Sequence, residues 1–373
     1  MAQTCHRKCH YDGQRTKESS PRLESPRMSE TGPATPPKAT VARGERRRLL
    51  SGMRPTGSSH LGHLVGAYRN WVAMQDEFDA FYCIVDWHAL TTDYRDTSGL
   101  PASTLEIATD WLAVGLDPDR CTLFVQSEVK EHAELHLLLS MVVPIPWLER
   151  VPTYKEIIRQ LVERDLHTYG FLGYPVLQAA DILIYDAAVV PVGEDQEPHI
   201  ELTREIARRF NAIFGDVLTE PEVRLTPSPR LPGTDGRKMS KSYRNVIGLA
   251  EEEKVIRSRL RTMMTDPARK RLKDPGDPAT CPVFDLHRIF SDEATRSWAS
   301  AGCRSAGIGC IQCKGALADH LVEELAPIAE RRKEFAARPD DVRDVLAAGR
   351  AQAAEAAAAT MERVREAVRL PSG

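Results

Sequence analysis

The sequence predicts an α/β protein, with a doubly wound parallel sheet first and an α-helical region after it. Three observations predict this. Apolar runs of strand length alternate with helical segments from about residue 48 to about residue 210. A glycine-bearing loop, residues 51–63 (S-G-M-R-P-T-G-S-S-H-L-G-H), joins the first strand to the first helix. From about residue 249 the strands stop and helical periodicity continues to the end. Ligands of such sheets bind outside the carboxyl ends of the strands, where that loop falls.

Residues 1–45 contain five prolines, many Ser and Thr and almost no large apolar side chains, and read as a disordered basic extension. They lack the apolar stretch of a secretory signal. A basic tail touching RNA, an organelle-targeting segment, or an over-long start with Met28 as the true first residue all fit. The Arg46-Arg47-Arg48 cluster reads as a solvated face.

Arg48-Leu49-Leu50 opens the first strand. Leu64, Ala67, Tyr68, Trp71 and Val72 then share one helix face. Residues 80–87 (A-F-Y-C-I-V-D-W) read as a buried strand followed by a polar loop. Ser103-Thr104-Leu105-Glu106, just after Pro101, fits a capping box, with Leu105, Ala108, Leu112 and Ala113 on the apolar face. Residues 121–126 read as a strand, and residues 131–143 as a helix burying Leu135, Leu138 and Leu139. In residues 174–186 (Y-P-V-L-Q-A-A-D-I-L-I-Y-D), Tyr174, Gln178 and Asp181 fall on one helix face. That face is polar inside an apolar segment, and polar groups aimed into an apolar pocket need partners. Residues 189–192 form a strand ending in Gly193-Glu194-Asp195-Gln196, and the next helix carries Ile200, Ile206 and Phe210. Asp195 suits either a ribose hydroxyl or an N-cap. A loop with Pro221, Pro227, Pro229 and Pro232 precedes Lys238-Met239-Ser240-Lys241-Ser242. Residues 340–369 read as a long Ala-rich amphipathic helix. Composition divides the chain into the extension (1–45), the sheet domain (46–248) and the helical domain (249–373).

The formal net charge of −3 announces no polyanion partner. It hides +6 in residues 1–48 and −9 in the remainder, with a mildly basic stretch over 250–274. No apolar run has the length of a membrane span. With no signal peptide, the eight cysteines are expected to be reduced, in the cytoplasm. Cys5 and Cys9 lie in the tail, and Cys83 and Cys121 read as core.

Two stretches carry the chemistry. The unpaired N–H groups and dipole of a helix N-terminus suit an anion, and Gly57 and Gly62 let backbone approach it, with His60 and His63 at the same mouth. The two lysines and two serines of K-M-S-K-S, on a mobile loop, suit a phosphate group as charge moves onto it. A third feature is C-x21-C-x6-C-x2-C: Cys281, Cys303, Cys310 and Cys313. Four thiolates fit either zinc or a cubane iron–sulfur cluster; the single close pair favours the cluster.

H-L-G-H and K-M-S-K-S resemble the two signatures of class I aminoacyl-tRNA synthetases. With Y-P-V-L-Q-A-A-D, P-V-G-E-D-Q and I-E-L-T-R, the chain resembles bacterial tryptophanyl-tRNA synthetases from about Leu50 onward, and its cysteines resemble those of a subgroup that holds a 4Fe–4S cluster in the C-terminal domain. The resemblance implies a Rossmann-type catalytic domain, an α-helical anticodon-side domain and a homodimer. It implies L-tryptophan, ATP with Mg²⁺, and tRNA(Trp) as partners. Arg54, Pro55, Thr56, Gly62, His63, Lys155, Gly193, Glu194, Asp195, Leu231 and residues 238–242 would line ATP, including Lys238, Met239, Ser240, Lys241 and Ser242. His60, His63, Lys238 and Lys241 would be catalytic. Asp181 would accept the indole N–H, Tyr174 and Gln196 would hold the α-amino group, and His88 and Gln178 would lie beside the amino acid. Many family members have Met in place of Gln178 and an aromatic residue in place of Leu50; in having Gln there the chain resembles tyrosyl-tRNA synthetases. A phenol O–H could also donate to Asp181. The pocket residues therefore specify an aromatic amino acid with a ring donor, and the wider resemblance specifies tryptophan. A tyrosyl enzyme and a catalytically idle paralogue are the alternatives.

Overall fold

The computed structural model describes residues 43–151, 166–226 and 230–371. Residues 1–42, Lys155, Pro227 and Pro229 lie outside the described residues. Five parallel strands form one sheet: β1 Arg48–Met53, β2 Asp79–Ile84, β3 Cys121–Val125, β4 Val189–Val192 and β5 Glu222–Leu225, in the order β3-β2-β1-β4-β5. Leu50 stands opposite Phe81, Phe81 opposite Thr122, and Val190 opposite Val223. The strand order reverses between β1 and β4, which opens a crevice at the carboxyl ends there.

Strand pleating sends alternate side chains to opposite faces, and both faces are apolar because helices cover both. Leu49, Ala80, Tyr82, Ile84, Cys121, Leu123 and Val189 enter one core; Leu50, Phe81, Cys83, Phe124 and Val190 enter the other. Helix α1 has three parts: a first turn at Leu61–His63, a π-type segment at Leu64–Tyr68, and Arg69–Met74. It is followed by α2 Asp86–Asp93, α3 Leu100–Val114, α4 Glu131–Ser140, α5 Ile145–Glu149, α6 Tyr169–Leu183 and α7 Glu197–Phe214. The helical region contains α8 Glu253–Thr262, α9 Pro282–Phe290, α10 Glu293–Arg304, α11 Cys310–Ala336 and α12 Pro339–Ala367.

Several sequence expectations shift. The strand expected over 80–87 ends at Ile84, because the Asp86 carboxylate accepts the N–H groups of Trp87 and Ser127, both at 3.0 Å, and starts a helix where a loop was expected. The expected capping box at Ser103 is not formed. Helix α3 begins at Leu100 with Pro101 in its first turn, and Glu106 pairs instead with Arg332. The helix expected over 131–143 stops at Ser140. Strand β5 was read as proline-rich loop; it is a short edge strand with no buried residue, so it carries little apolar signal. Within the arginine cluster, Arg47 pairs with Glu222 at 2.7 Å and Arg48 with Asp79 at 3.7 Å.

The first core continues through Ile256, Leu286, Leu317, Leu325 and Leu346, so the helical region shares a hydrophobic interior with the sheet. Helix α12 contributes Val342 and Leu346 to that core and Ala353, Ala357, Met361 and Val364 to the other. It passes over edge strand β3 at Gly349, where an added Cβ would sit 1.9 Å from the Leu123 carbonyl oxygen. The Ala-rich face is thus the face of closest backbone approach, and it covers a sheet edge. In an open helix Gly→Ala stabilises by about 1 kcal/mol. Here Gly349→Ala is expected to destabilise by about 1–3 kcal/mol through overpacking, read as a lower urea midpoint. A raised midpoint would refute the contact.

Candidate active site

The loop after β1 and the signature loop before α8 meet. The Leu61 N–H donates to the Ile247 carbonyl at 3.0 Å, and the Leu249 N–H to the Ser59 carbonyl at 3.1 Å. Lys241 Nζ donates to the carbonyls of Thr56 at 2.8 Å and Gly57 at 3.0 Å. The signature loop is itself anchored. Met239 is buried, its N–H donating to the Leu231 carbonyl at 2.8 Å. Buried Asn245 accepts the Ser240 N–H at 2.8 Å and donates to Asp235 and to the Lys238 carbonyl. Lys238 and Ser242 are exposed.

At the start of α1 the two histidines cap each other. The Gly62 N–H donates to His60 Nδ1 at 3.0 Å, and the His60 N–H to His63 Nδ1 at 3.1 Å. A Cβ at position 62 would lie 2.7 Å from the His60 ring, so Gly62 is what lets the imidazole reach back over the helix N-terminus. Burial, with Lys241 nearby, lowers the His60 pKa to about 4. Burial, His60 and Lys241 lower that of His63 to about 3. Both rings are therefore neutral at pH 7, with Nδ1 accepting and the proton on Nε2. They serve as fixed dipolar donors, and Lys241 supplies the charge. Burial pushes the Lys241 pKa down, while the carboxylate of Asp110 pushes it back up.

A cavity of about 480 Å³ opens at the β1/β4 crevice. Of the expected residues, Arg54, His88, Tyr174, Gln178, Asp181, Gly193 and Gln196 line it. Tyr174, Gln178 and Asp181 come from one face of α6, as their spacing predicted. Asp195 and Glu194 are exposed beyond β4. Asp195 is not the N-cap of α7, which is Gln196; it accepts a bond from Gln196 Nε2 at 3.0 Å. Arg54 pairs with Asp93 at 2.9 Å. Pro55 is buried and Thr56 exposed, in the loop held by Lys241.

Asp181 is 3% exposed. Its carboxylate accepts from His88 Nε2 at 2.9 Å, from His132 Nδ1 at 2.7 Å, and from Gln126 Nε2 at 2.8 Å to each oxygen. Burial alone would raise its pKa, but the hydrogen bonds from His132 and His88 outweigh that and hold it at about 2. His132 Nε2 meets the Tyr185 hydroxyl at 2.7 Å. Burial keeps that phenol protonated, with a pKa well above the usual range. Of the three donors to Asp181, only His88 also lines the cavity.

Gln126, His132, Tyr185 and Asn245 went unremarked in the sequence. Gln126 and His132 had a usable signal: a polar residue at the carboxyl end of a strand, and a histidine in the first turn of the following helix. Asn70 also lines the cavity, and its buried Nδ2 has no partner among the described residues.

The four cysteines of the C-terminal motif are free. Burial and the proximity of Cys281, Cys303 and Cys310 push the Cys313 thiol up to about 12. Arg269 Nη1 lies 3.8 Å from Cys303 Sγ, and His287 Nε2 lies 3.3 Å from Cys313 Sγ. Among the described residues, no three His, Cys, Asp or Glu side chains are arranged to hold a metal ion. No described helix is long and apolar enough to cross a membrane.

Residues 42–326 match the family of tRNA synthetases class I (W and Y). The chain is 55% identical to a tryptophan–tRNA ligase of Thermotoga maritima, over 87% of this chain and 99% of the relative. It is 45% identical to that of Ralstonia nicotianae, over 87% and 98%. Among solved structures it is similar to the Campylobacter jejuni tryptophanyl-tRNA synthetase complexed with ADP and tryptophan. That match has a TM-score of 0.78 at 33% identity and covers 87% of this chain and all of that one. The tyrosyl-tRNA synthetase of Aeropyrum pernix, at 20% identity and a TM-score of 0.60, shares the fold. With its two signature loops joined beside a buried aromatic-lined carboxylate, the chain belongs to the class I tRNA synthetases for tryptophan and tyrosine, in the tryptophan–tRNA ligase branch.

Proposed function

We propose that the protein activates L-tryptophan with ATP and passes the tryptophanyl group to tRNA(Trp), using the residues assembled above. The observation that carries this is the contact of Lys241 with Thr56 and Gly57, which brings two segments distant in sequence to one helix N-terminus. The tryptophan carboxylate attacks the α-phosphorus of ATP and pyrophosphate leaves. The nucleophile is already ionised, so alignment and charge do the work and no general base is required. Lys241 and Lys238 meet the departing phosphates, with Mg²⁺ accompanying ATP, and the Nε2–H groups of His60 and His63 donate to phosphate oxygens. Arg54, Pro55, Thr56, Gly62 and the segment from Gly193 to Asp195 hold the rest of the nucleotide, with Leu231, Met239, Ser240 and Ser242 on the signature side. Lys155 belongs to this set by sequence. Asp181 accepts the indole N–H, Tyr174 and Gln196 hold the α-amino group, and His88 and Gln178 flank the ring. Exchange of pyrophosphate into ATP, run with each amino acid, tests the assignment. Tryptophan alone should support it, and equal support by tyrosine would overturn the specificity.

The four cysteines suit a 4Fe–4S cluster. They are free thiols that interact electrostatically with one another, and Arg269 beside Cys303 suits thiolate charge. When bound, such a cluster would supply a rigid cross-link among the starts of α9 and α11 and the end of α10, and residues 249–373 would act as the anticodon-side domain. Broad absorption near 400 nm after anaerobic purification would support iron–sulfur; a colourless protein would not. A homodimer is favoured by Leu137, Met141, Ile145 and Tyr169, which stand exposed on neighbouring helices, with the Tyr169 and His136 rings 6.4 Å apart. A solution mass of one chain would refute it.

A further inference from the structure

Buried charge outside the cavity links the helical region to the loop that holds Lys241. Asp110, in the middle of α3, is 2% exposed. Its Oδ2 accepts the backbone N–H of Ser59 at 2.6 Å, and its Oδ1 accepts from Arg332 Nε at 2.6 Å. Arg332 lies near the end of α11 and also pairs with Glu106, one turn before Asp110. Its neighbour Arg331 donates to the Ala113 carbonyl at 2.6 Å. Helix α11 is therefore fastened to α3 by two arginines, and α3 is fastened to the loop by one carboxylate.

Ser59 is where these forces meet. Its hydroxyl lies 2.6 Å from that of Tyr68 within the π-type segment of α1. Its carbonyl accepts the Leu249 N–H from the turn after the signature loop. It is two residues after Gly57, which holds Lys241, and immediately before His60. Burial disfavours the cationic form of Lys241, and the negative charge of Asp110 works against that. An unpaired carboxylate in this buried place would be costly, and Arg332 supplies the paired charge.

We infer that Asp110 and Arg332 are a positioning pair for the adenylate-forming step, through which the end of α11 sets the place of Ser59 and so of the loop that receives ATP. The inference rests on the reading that ATP lies against residues 54–63. Neither residue touches the cavity, so both act through the loop. Helix α11 runs from Cys310 to Ala336, so the cysteine motif and Arg332 lie on one helix, with Pro327 between them.

The test measures pyrophosphate exchange by the full-length protein bearing Arg332→Ala, Arg332→Lys, Lys241→Ala, or Arg332→Ala with Lys241→Ala. Arg332→Ala should lower kcat/KM for ATP about tenfold while KM for tryptophan stays within about twofold. Arg332→Lys, which retains the charge, should recover most of the loss. The double variant should lose clearly less than the product of the single losses, since both act on one loop. Asp110→Asn, near-isosteric, should reproduce the ATP-selective loss if Arg332→Ala proves too unstable to assay. A fall in thermal midpoint with ATP and tryptophan parameters moving together, or full additivity with Lys241→Ala, overturns the inference. If Lys241→Ala itself has no effect, the ATP reading fails; if only the Arg332 and Asp110 variants are silent, the positioning pair alone fails.

Discussion

Asp181→Ala is expected to lower kcat/KM for tryptophan by about 10²–10³ while leaving KM for ATP within about threefold. The magnitude has two parts. A hydrogen bond to a charged acceptor is worth about 1.5–3 kcal/mol, and buried donors left unpaired cost about 1–3 kcal/mol more. His88, His132 and Gln126 all donate to this one carboxylate, so its removal disorders the pocket wall as well as deleting the proposed indole acceptor. Steady-state exchange with each substrate varied in turn measures it. Small, equal changes for both substrates would remove Asp181 from the pocket. A linked pH effect follows with a defined sign. The carboxyl pKa is lowered from 3.8 to about 2 in the fold, so its contribution to stability is complete above about pH 4 and lost as pH falls through about 2. Asp181→Asn should flatten the acid limb of unfolding in that window.

Lys241→Ala is expected to lower kcat of exchange by about 10²–10³, the usual cost of removing one preorganised group aimed at developing charge. KM for tryptophan should stay within about threefold. The expectation follows from what else stands at the helix N-terminus. His60 and His63 are neutral, so Lys241 is the cation held directly against the loop carbonyls. Lys241→Arg keeps the charge but replaces a compact ammonium with a planar fork that fits two converging carbonyls poorly, and should restore activity only in part. An alanine variant with near-normal kcat would overturn the reading that ATP lies against this loop.

Much of the architecture was legible because its signals are local. Short continuous apolar runs gave β1 to β4, and helical spacing gave α1, α7 and α12. The face shared by Tyr174, Gln178 and Asp181 follows from the pitch of a helix alone, so the pocket wall could be read from spacing. Strand β5 escaped because an exposed edge strand beside prolines has no buried face to leave a pattern. The capping reading at Ser103 failed because Glu106 is used across the molecule by Arg332 and not within its own helix.

The amino-acid sequence by itself determined the alternation of β1 to β4 with most of the helices, the two signature loops, the cavity-facing side of α6 and the resemblance to a synthetase family. Tertiary structure alone decided that His60 and His63 cap each other as neutral rings, that three donors converge on Asp181, and that Arg332 reaches Ser59 through Asp110. The reason is physical. Helix pitch, strand pleat and turn chemistry act between neighbours in the chain, whereas burial, pKa and charge pairing depend on groups that only the completed fold brings within a few ångströms.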